Sequence, residues 1–242
     1  MGTLIRLCDW SVSMLKNEMV AKNPLRALDQ STDGGLVPGQ LGLVAARAGT
    51  GKTAFLIQVA LDNLFRGNPV LHVCVGDTVS HVKAWYEEIF RDLASGYDLD
   101  RAREVWDEVE RNRLIMTFRV QAFTVQKLEE RLNDLVEQNI FRPRTVVVDG
   151  PALGESLPEA LEDLARFARE RGLKVWAAVR THREAGPLAE LMAPLLDLCQ
   201  VAVGLEPQQG AVSLRILKNP SGIEGKAPIS LDPRTLLLNP AP

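Results

Sequence analysis

Leu41-Gly-Leu-Val-Ala45, then Ala46-Arg-Ala-Gly-Thr-Gly-Lys-Thr53, then Ala54-Phe-Leu-Ile-Gln-Val-Ala-Leu-Asp-Asn-Leu-Phe65 is the stretch on which the reading of this chain turns. The first run is short and apolar, as a buried strand is. The second carries small residues around Gly49 and Gly51, which let successive backbone N–H groups curl around an oxyanion. Lys52 adds a cation to that loop and Thr53 adds a hydroxyl suited to a hard metal ion. The third run, with Phe55, Leu56, Val59, Ala60, Leu61 and Leu64, reads as a largely apolar helix from Thr53 to Phe65, stopped near Gly67-Asn68-Pro69. A helix opening at that point turns the positive end of its dipole toward the bound anion.

Strand, loop and helix therefore meet the demands of a Walker A phosphate loop, with Ala46 in place of the first Gly. The amides of Ala48, Gly49, Thr50 and Gly51 are the expected cradle, Lys52 the phosphate cation and Thr53 a magnesium ligand. A second element follows far along the chain. Thr145-Val-Val-Val-Asp149 is an apolar run ending in a carboxylate, which fits a Walker B strand with Asp149 holding Mg²⁺ through a water. Taken alone, Asp149 also reads as a residue capping the following loop; the upstream motif makes the metal reading the more specific one.

Composition sets the surroundings. The chain has 242 residues, of which 46% are hydrophobic, enough for one α/β domain with a sizeable core. With 28 basic against 31 acidic residues the net charge is −3, which offers no overall electrostatic reason to bind nucleic acid. Cys8, Cys74 and Cys199 are scattered and form no metal-type spacing, so a disulfide framework or zinc site is not expected. No stretch has transmembrane length, and Asp9, Lys16 and Glu18 interrupt the N-terminal segment as a signal peptide would not allow. The expectation is a cytoplasmic protein with no membrane association.

Beyond the loop, Val70–Val75, Leu114–Phe118, Thr145–Val148 and Lys174–Val179 read as strands. Between them, Val79–Leu93, a segment carrying Leu99, Ala102, Val105, Trp106 and Val109, a segment opening at Thr124, and Leu157–Arg171 read as helices. Trp10, Met14, Leu15 and Met19 suggest one further helical face near the N-terminus. After residue 198 the pattern changes: Val201–Leu205, Val212–Leu217, Ile229–Leu231 and Leu236–Leu238 read as short strands between Gly and Pro turns. The expected fold is α/β, a doubly wound and mainly parallel sheet that ends in β-hairpins. It forms one domain over 1–242, divided into an N-terminal segment (1–35), a nucleotide-binding core (36–180) and C-terminal strands (198–242).

This arrangement resembles the RecA-type P-loop ATPase core, close to the C-terminal domain of DnaB-type helicases and to KaiC-like proteins. Carrying the resemblance are Leu28-Asp29, Gly34-Gly-Leu-Val-Pro-Gly-Gln-Leu41, the Walker A loop, Val70–Val75 with the helix after it, and Val146–Asp149. Val175–Val179 followed by Arg180-Thr-His-Arg183, and Leu217-Lys-Asn219, carry it further. The resemblance implies ATP and Mg²⁺ as ligands, the Walker A strand flanked by the strands at 174–179 and 199–205, and nucleotide at a subunit boundary in a homo-oligomeric ring or filament. It also implies a phosphate-sensing role for Arg180, for which a plain surface cation is the alternative, and a contact from Lys218 to the neighbouring subunit's nucleotide.

The chain departs from that family in places that matter for turnover. Gly76 stands where the family's water-polarising Glu belongs, with Asp77 one residue on. Asp77 is either the catalytic carboxylate or a helix-capping residue. Pro220 stands where the family's hairpin Arg would be, and an arginine finger contributes on the order of 10³–10⁵ in rate. The loop 150–159 carries two carboxylates and no cation, which disfavours single-stranded DNA, while Arg180, His182 and Arg183 form a small basic cluster. The sequence thus points to an Mg·ATP-binding regulatory or assembly ATPase with weak or degenerate hydrolysis. The alternatives are an active DNA motor that uses Asp77 and a scaffold that binds no nucleotide.

Overall fold

The computed structural model describes residues 2–150, 157–181, 187–208, 210–222 and 224–240. Two helices come first, α1 (Gly2–Lys22) and α2 (Leu25–Ser31). Strand β1 (Leu41–Ala46) leads through the glycine-rich loop into α3 (Lys52–Phe65), and β2 (Val70–Val75) leads into α4 (Val79–Leu93) and α5 (Leu99–Asn112). Then come β3 (Arg113–Phe118), α6 (Val125–Glu137), β4 (Thr145–Asp149), α7 (Leu157–Arg171), β5 (Lys174–Arg180) and the short α8 (Leu188–Met192). Four strands close the chain: β6 (Val201–Gln208), β7 (Ala211–Lys218), β8 (Gly225–Leu231) and β9 (Leu238–Pro240).

The nine strands of the described residues join one sheet in the order β3-β2-β4-β5-β1-β6-β7-β8-β9. The pairs from β3 to β6 are parallel. Those from β6 to β9 are antiparallel. Strand β1 therefore sits between β5 and β6, as the resemblance implies. Every residue of β1, β2 and β4 is buried, because helices cover both faces of the parallel half. On one face α3 is the central helix; Phe55, Leu56, Ile57, Leu61 and Leu64 pack with Val82, Tyr86 and Ile89 of α4 and with Val105 and Val109 of α5. Leu128 and Leu132 of α6 and Leu161, Leu164 and Phe167 of α7 cover the opposite face.

Several expectations shift in detail. The terminal run Leu236–Leu238 joins the sheet only from Leu238. Asp232 accepts the Arg234 and Thr235 amides, and Leu236 takes a φ of 57°, so the chain is still turning where alternation alone suggested a strand. Leu15 and Met19 are buried, but Met14 is 58% exposed and lies off that face of α1. Leu99, at the first position of α5, is 85% exposed, while Ala102, Val105 and Val109 form the buried stripe. Thr124 caps α6 as expected, its hydroxyl accepting the Lys127 amide.

Candidate functional site

The parallel strands all point their C-terminal ends to one edge of the sheet, the edge where α/β folds bind ligands. The Walker A loop leaves β1 at this edge. Gly51 is the N-cap of α3, with φ 102° and no side-chain cap bond, so no cap side chain takes the amides of the first turn. An added Cβ at Gly51 would stand 2.3 Å from the Leu231 side chain of β8, so this position has room for hydrogen alone. Thr50 is buried, while Arg47, Ala48 and Gly49 face solvent.

Asp149 ends β4 at the same edge and is 8% exposed. The Thr53 hydroxyl lies close enough to its carboxylate to favour the ionised form. Burial raises the Asp149 carboxyl above the usual range, opposed by the nearby Thr53 hydroxyl, the Lys52 charge and the Gly150 amide. Gly150 has a φ of 147°, and a Cβ there would lie 2.4 Å from the Val75 carbonyl oxygen, so glycine lets the chain turn away directly after the carboxylate. Burial pushes the Lys52 ammonium down, with Asp149 pulling it back up and Arg180 pressing it further down. Its Nζ donates to the loop carbonyls of Ala46 at 3.0 Å and Arg47 at 2.8 Å.

Arg180 is the last residue of β5, exposed, and paired in register with Ala46. Lys52 and Thr53 from α3, Asp149 from β4 and Arg180 from β5 thus converge at this edge. A cavity of about 260 Å³ opens beside them, bounded by Ala46, Arg47, Thr181, Leu188, Leu205 and Glu206. The acidic loop expected to repel DNA includes 151–156, and His182 and Arg183 fall within 182–186, all outside the described residues.

Two other expected residues lie differently. Asp77 stands just past β2, whose Cys74 pairs with Asp149, so the two carboxylates are neighbours along the edge. It is not the N-cap of α4: that is Thr78, whose hydroxyl accepts the His81 amide at 3.2 Å. Asp77 instead takes the Thr78 amide on Oδ1 at 2.7 Å and the His81 ring on Oδ2 at 2.5 Å. Lys218 pairs in register with Ala202, near the start of β6 and so at the opposite edge of the sheet from the loop. Its Nζ donates to the Leu196 carbonyl at 2.5 Å.

The chain's own residues fit an Mg-nucleotide. Uncapped helix amides behind a glycine whose backbone strains any side chain, a lysine at the loop, and a buried carboxylate beside a helix hydroxyl form the donor set a phosphate and a hard cation require. Sequence reading had given His81 no role; its position four residues after Asp77, one helical turn, was the available signal. It had also not foreseen a second cavity, of about 510 Å³, away from the loop, where Arg26, Asp29, Asp62, Arg66 and Lys174 gather near Trp176. There Arg26 and Arg66 pair with Asp62 at 2.6 and 2.9 Å.

Among the described residues no group of His, Cys, Asp and Glu gathers as a multi-ligand metal cage, and no helix is long and apolar enough to cross a membrane. No curated protein matches the chain. A family description does: the AAA domain, AAA_25, is matched over residues 13–153, from α1 through β4 and just beyond Asp149. That match takes in more than half of the sequence, and with the P-loop geometry it places the chain in the AAA domain family, among P-loop ATPase-like proteins.

Proposed function

We propose that the protein binds Mg·ATP and works as a RecA-, KaiC- or DnaB-like regulatory or assembly ATPase with slow hydrolysis. The observation that carries this is the meeting of Thr53 and Asp149, two residues far apart in sequence, beside Lys52 and the uncapped start of α3. The amides of Ala48, Gly49, Thr50 and Gly51 would hold the phosphates, with Lys52 neutralising the terminal ones. Thr53 would ligate Mg²⁺ directly and Asp149 would hold it through a water. When bound, Mg²⁺ supplies charge neutralisation at the phosphate oxygens. Arg180, next to Ala46 in register, would reach the same phosphates.

Slow turnover is expected because Pro220 offers no guanidinium and Gly76 moves any carboxylate off the position that the resembled family uses. Lys218 bonds within its own fold, which lends no support to a contact with a neighbouring subunit. The charge balance and the acidic character of loop 150–159 argue against DNA as the main partner.

A thermal-shift titration with Mg·ATP tests the reading. Stabilisation of about 2.7 kcal/mol is expected at a hundredfold excess over the dissociation constant, and its disappearance is expected in Lys52→Ala. An identical response from wild type and Lys52→Ala, or none from either, would refute nucleotide binding at this loop. Steep salt dependence of single-strand binding would favour the DNA-motor reading instead.

A further inference from the structure

Asp77, just before α4, and His81 and Trp85, on its first two turns, form a hydrogen-bonded line that ends at the nucleotide edge. The Trp85 Nε1–H donates to His81 Nε2 at 3.2 Å, His81 Nδ1 bonds Asp77 Oδ2 at 2.5 Å, and Asp77 Oδ1 accepts the Thr78 amide at 2.7 Å. The direction of the line is set by its ends. An indole N–H only donates, so His81 Nε2 must be the bare nitrogen and Nδ1 must carry the hydrogen. His81 is thereby fixed as a neutral imidazole that donates to an ionised Asp77. The carboxylate has a donor on each oxygen and keeps a spare lone pair on each.

Helix capping does not account for this line. Thr78 already satisfies the His81 amide, so the Asp77–His81 ring bond is additional to the cap. Nor is it needed to cover the core: His81 is 57% exposed and Asp77 38% exposed. An exposed arrangement of this kind contributes little to stability, so its ordering points elsewhere. What lies next to it is the site: Cys74, three residues before Asp77, pairs with Asp149 across β2 and β4.

We propose that His81, backed by Trp85, is a positioning residue that holds Asp77 as the water-orienting carboxylate of the nucleotide site, standing in for the carboxylate that Gly76 lacks. This rests on the nucleotide-binding reading above. Hydrolysis there joins the water oxygen to the terminal phosphorus and breaks that phosphorus's bond to the bridging oxygen, whose electron pair leaves with the diphosphate. The proton shed by the water is taken at an Asp77 oxygen and passed to the released phosphate.

The test combines binding, turnover and nitrogen spectroscopy on the full chain. Mg·ATP should stabilise wild type, Asp77→Asn and His81→Ala alike but not Lys52→Ala. Turnover should fall about a hundredfold in Asp77→Asn, in the range for a lost general base. It should fall about tenfold in His81→Ala at unchanged KM and melting temperature, as for a lost orienting partner. His81→Asn, whose amide offers an N–H near the Nδ1 position, should recover much of the loss. With only three histidines in the chain, ¹⁵N-labelled imidazole spectra can isolate His81; they should show the Nδ1–H tautomer, shifting toward a mixture in Trp85→Phe. Full turnover in His81→Ala, an Nε2–H tautomer in wild type, or wild-type turnover no higher than Lys52→Ala would each overturn the positioning role while leaving nucleotide binding standing. Absence of the Mg·ATP stabilisation would overturn both.

Discussion

His72 carries no charge in the folded protein. Complete burial in β2 pushes its imidazole down to about 3, with the Arg113 charge acting in the same direction. Its Nδ1 meets the Tyr86 hydroxyl at 3.0 Å, and the Arg113 guanidinium lies over the Tyr86 ring at 4.3 Å. As pH falls below the ordinary value of 6.5, the unfolded chain takes up a proton that the native His72 refuses. Its contribution is therefore complete above pH 6.5 and is lost progressively toward pH 3, by about 2 kcal/mol between pH 7 and 5. Asp62 works the other way. Burial pushes it up to about 6 against the pull of Arg26, so its contribution is present below 3.8 and lost as pH rises through about 6. Because the two slopes oppose each other, the informative quantity is a difference. His72→Leu should be less stable than wild type at pH 7 by about 1–3 kcal/mol, since the Tyr86 hydroxyl loses its partner. That gap should narrow by about 2 kcal/mol at pH 5 in urea titrations; a constant gap would show that His72 does not resist protonation.

The joint between β1, α3 and the C-terminal strands carries the candidate site, and two substitutions probe it. Gly51→Ala places a methyl against Leu231 and forces a φ of 102° on a residue with a side chain. A loss of about 1–3 kcal/mol is expected, together with a weakened Mg·ATP thermal shift, because a side chain at this φ strains the loop at the start of α3 and displaces Leu231. Gln58, buried in α3, works differently. Its Nε2 donates to the Leu236 carbonyl at 2.8 Å and its Oε1 accepts the Leu238 amide at 2.8 Å. The side chain thus stands in for a missing strand partner where β9 begins. Gln58→Leu leaves the buried Leu238 amide and the part-buried Leu236 carbonyl without this partner and should cost about 1–3 kcal/mol by chemical denaturation, with hydrogen exchange accelerated first in β9.

At the level of the complete chain, the C-terminal strands are part of the sheet rather than an appendage. Strand β6 is the parallel neighbour of β1 from Gly42 to Ala45, and Ile229 and Leu231 of β8 pack in the same core as α3. A chain ending at residue 198 would leave the central strand at an open apolar edge. It should fail to give a cooperative thermal transition and should aggregate; a sharp transition near that of the full chain would show that the strands after 198 form a separate unit.

The β/α alternation, the parallel character of the sheet and the P-loop between β1 and α3 were legible in the residues alone. They depend on neighbours within one strand, one turn or one helix, where spacing sets geometry. The closing strand was misjudged because Asp232 holds a turn that hydrophobic alternation does not register, and Met14 and Leu99 because an apolar side chain near a helix face need not be on it. Strand order and register decided the rest. They brought Asp149 to Thr53, set Asp77 beside that pair with His81 holding it, laid Leu231 against Gly51, and carried Lys218 to the far edge of the sheet. Such meetings between distant segments arise only when the entire apolar surface is buried at once, so no local pattern encodes them.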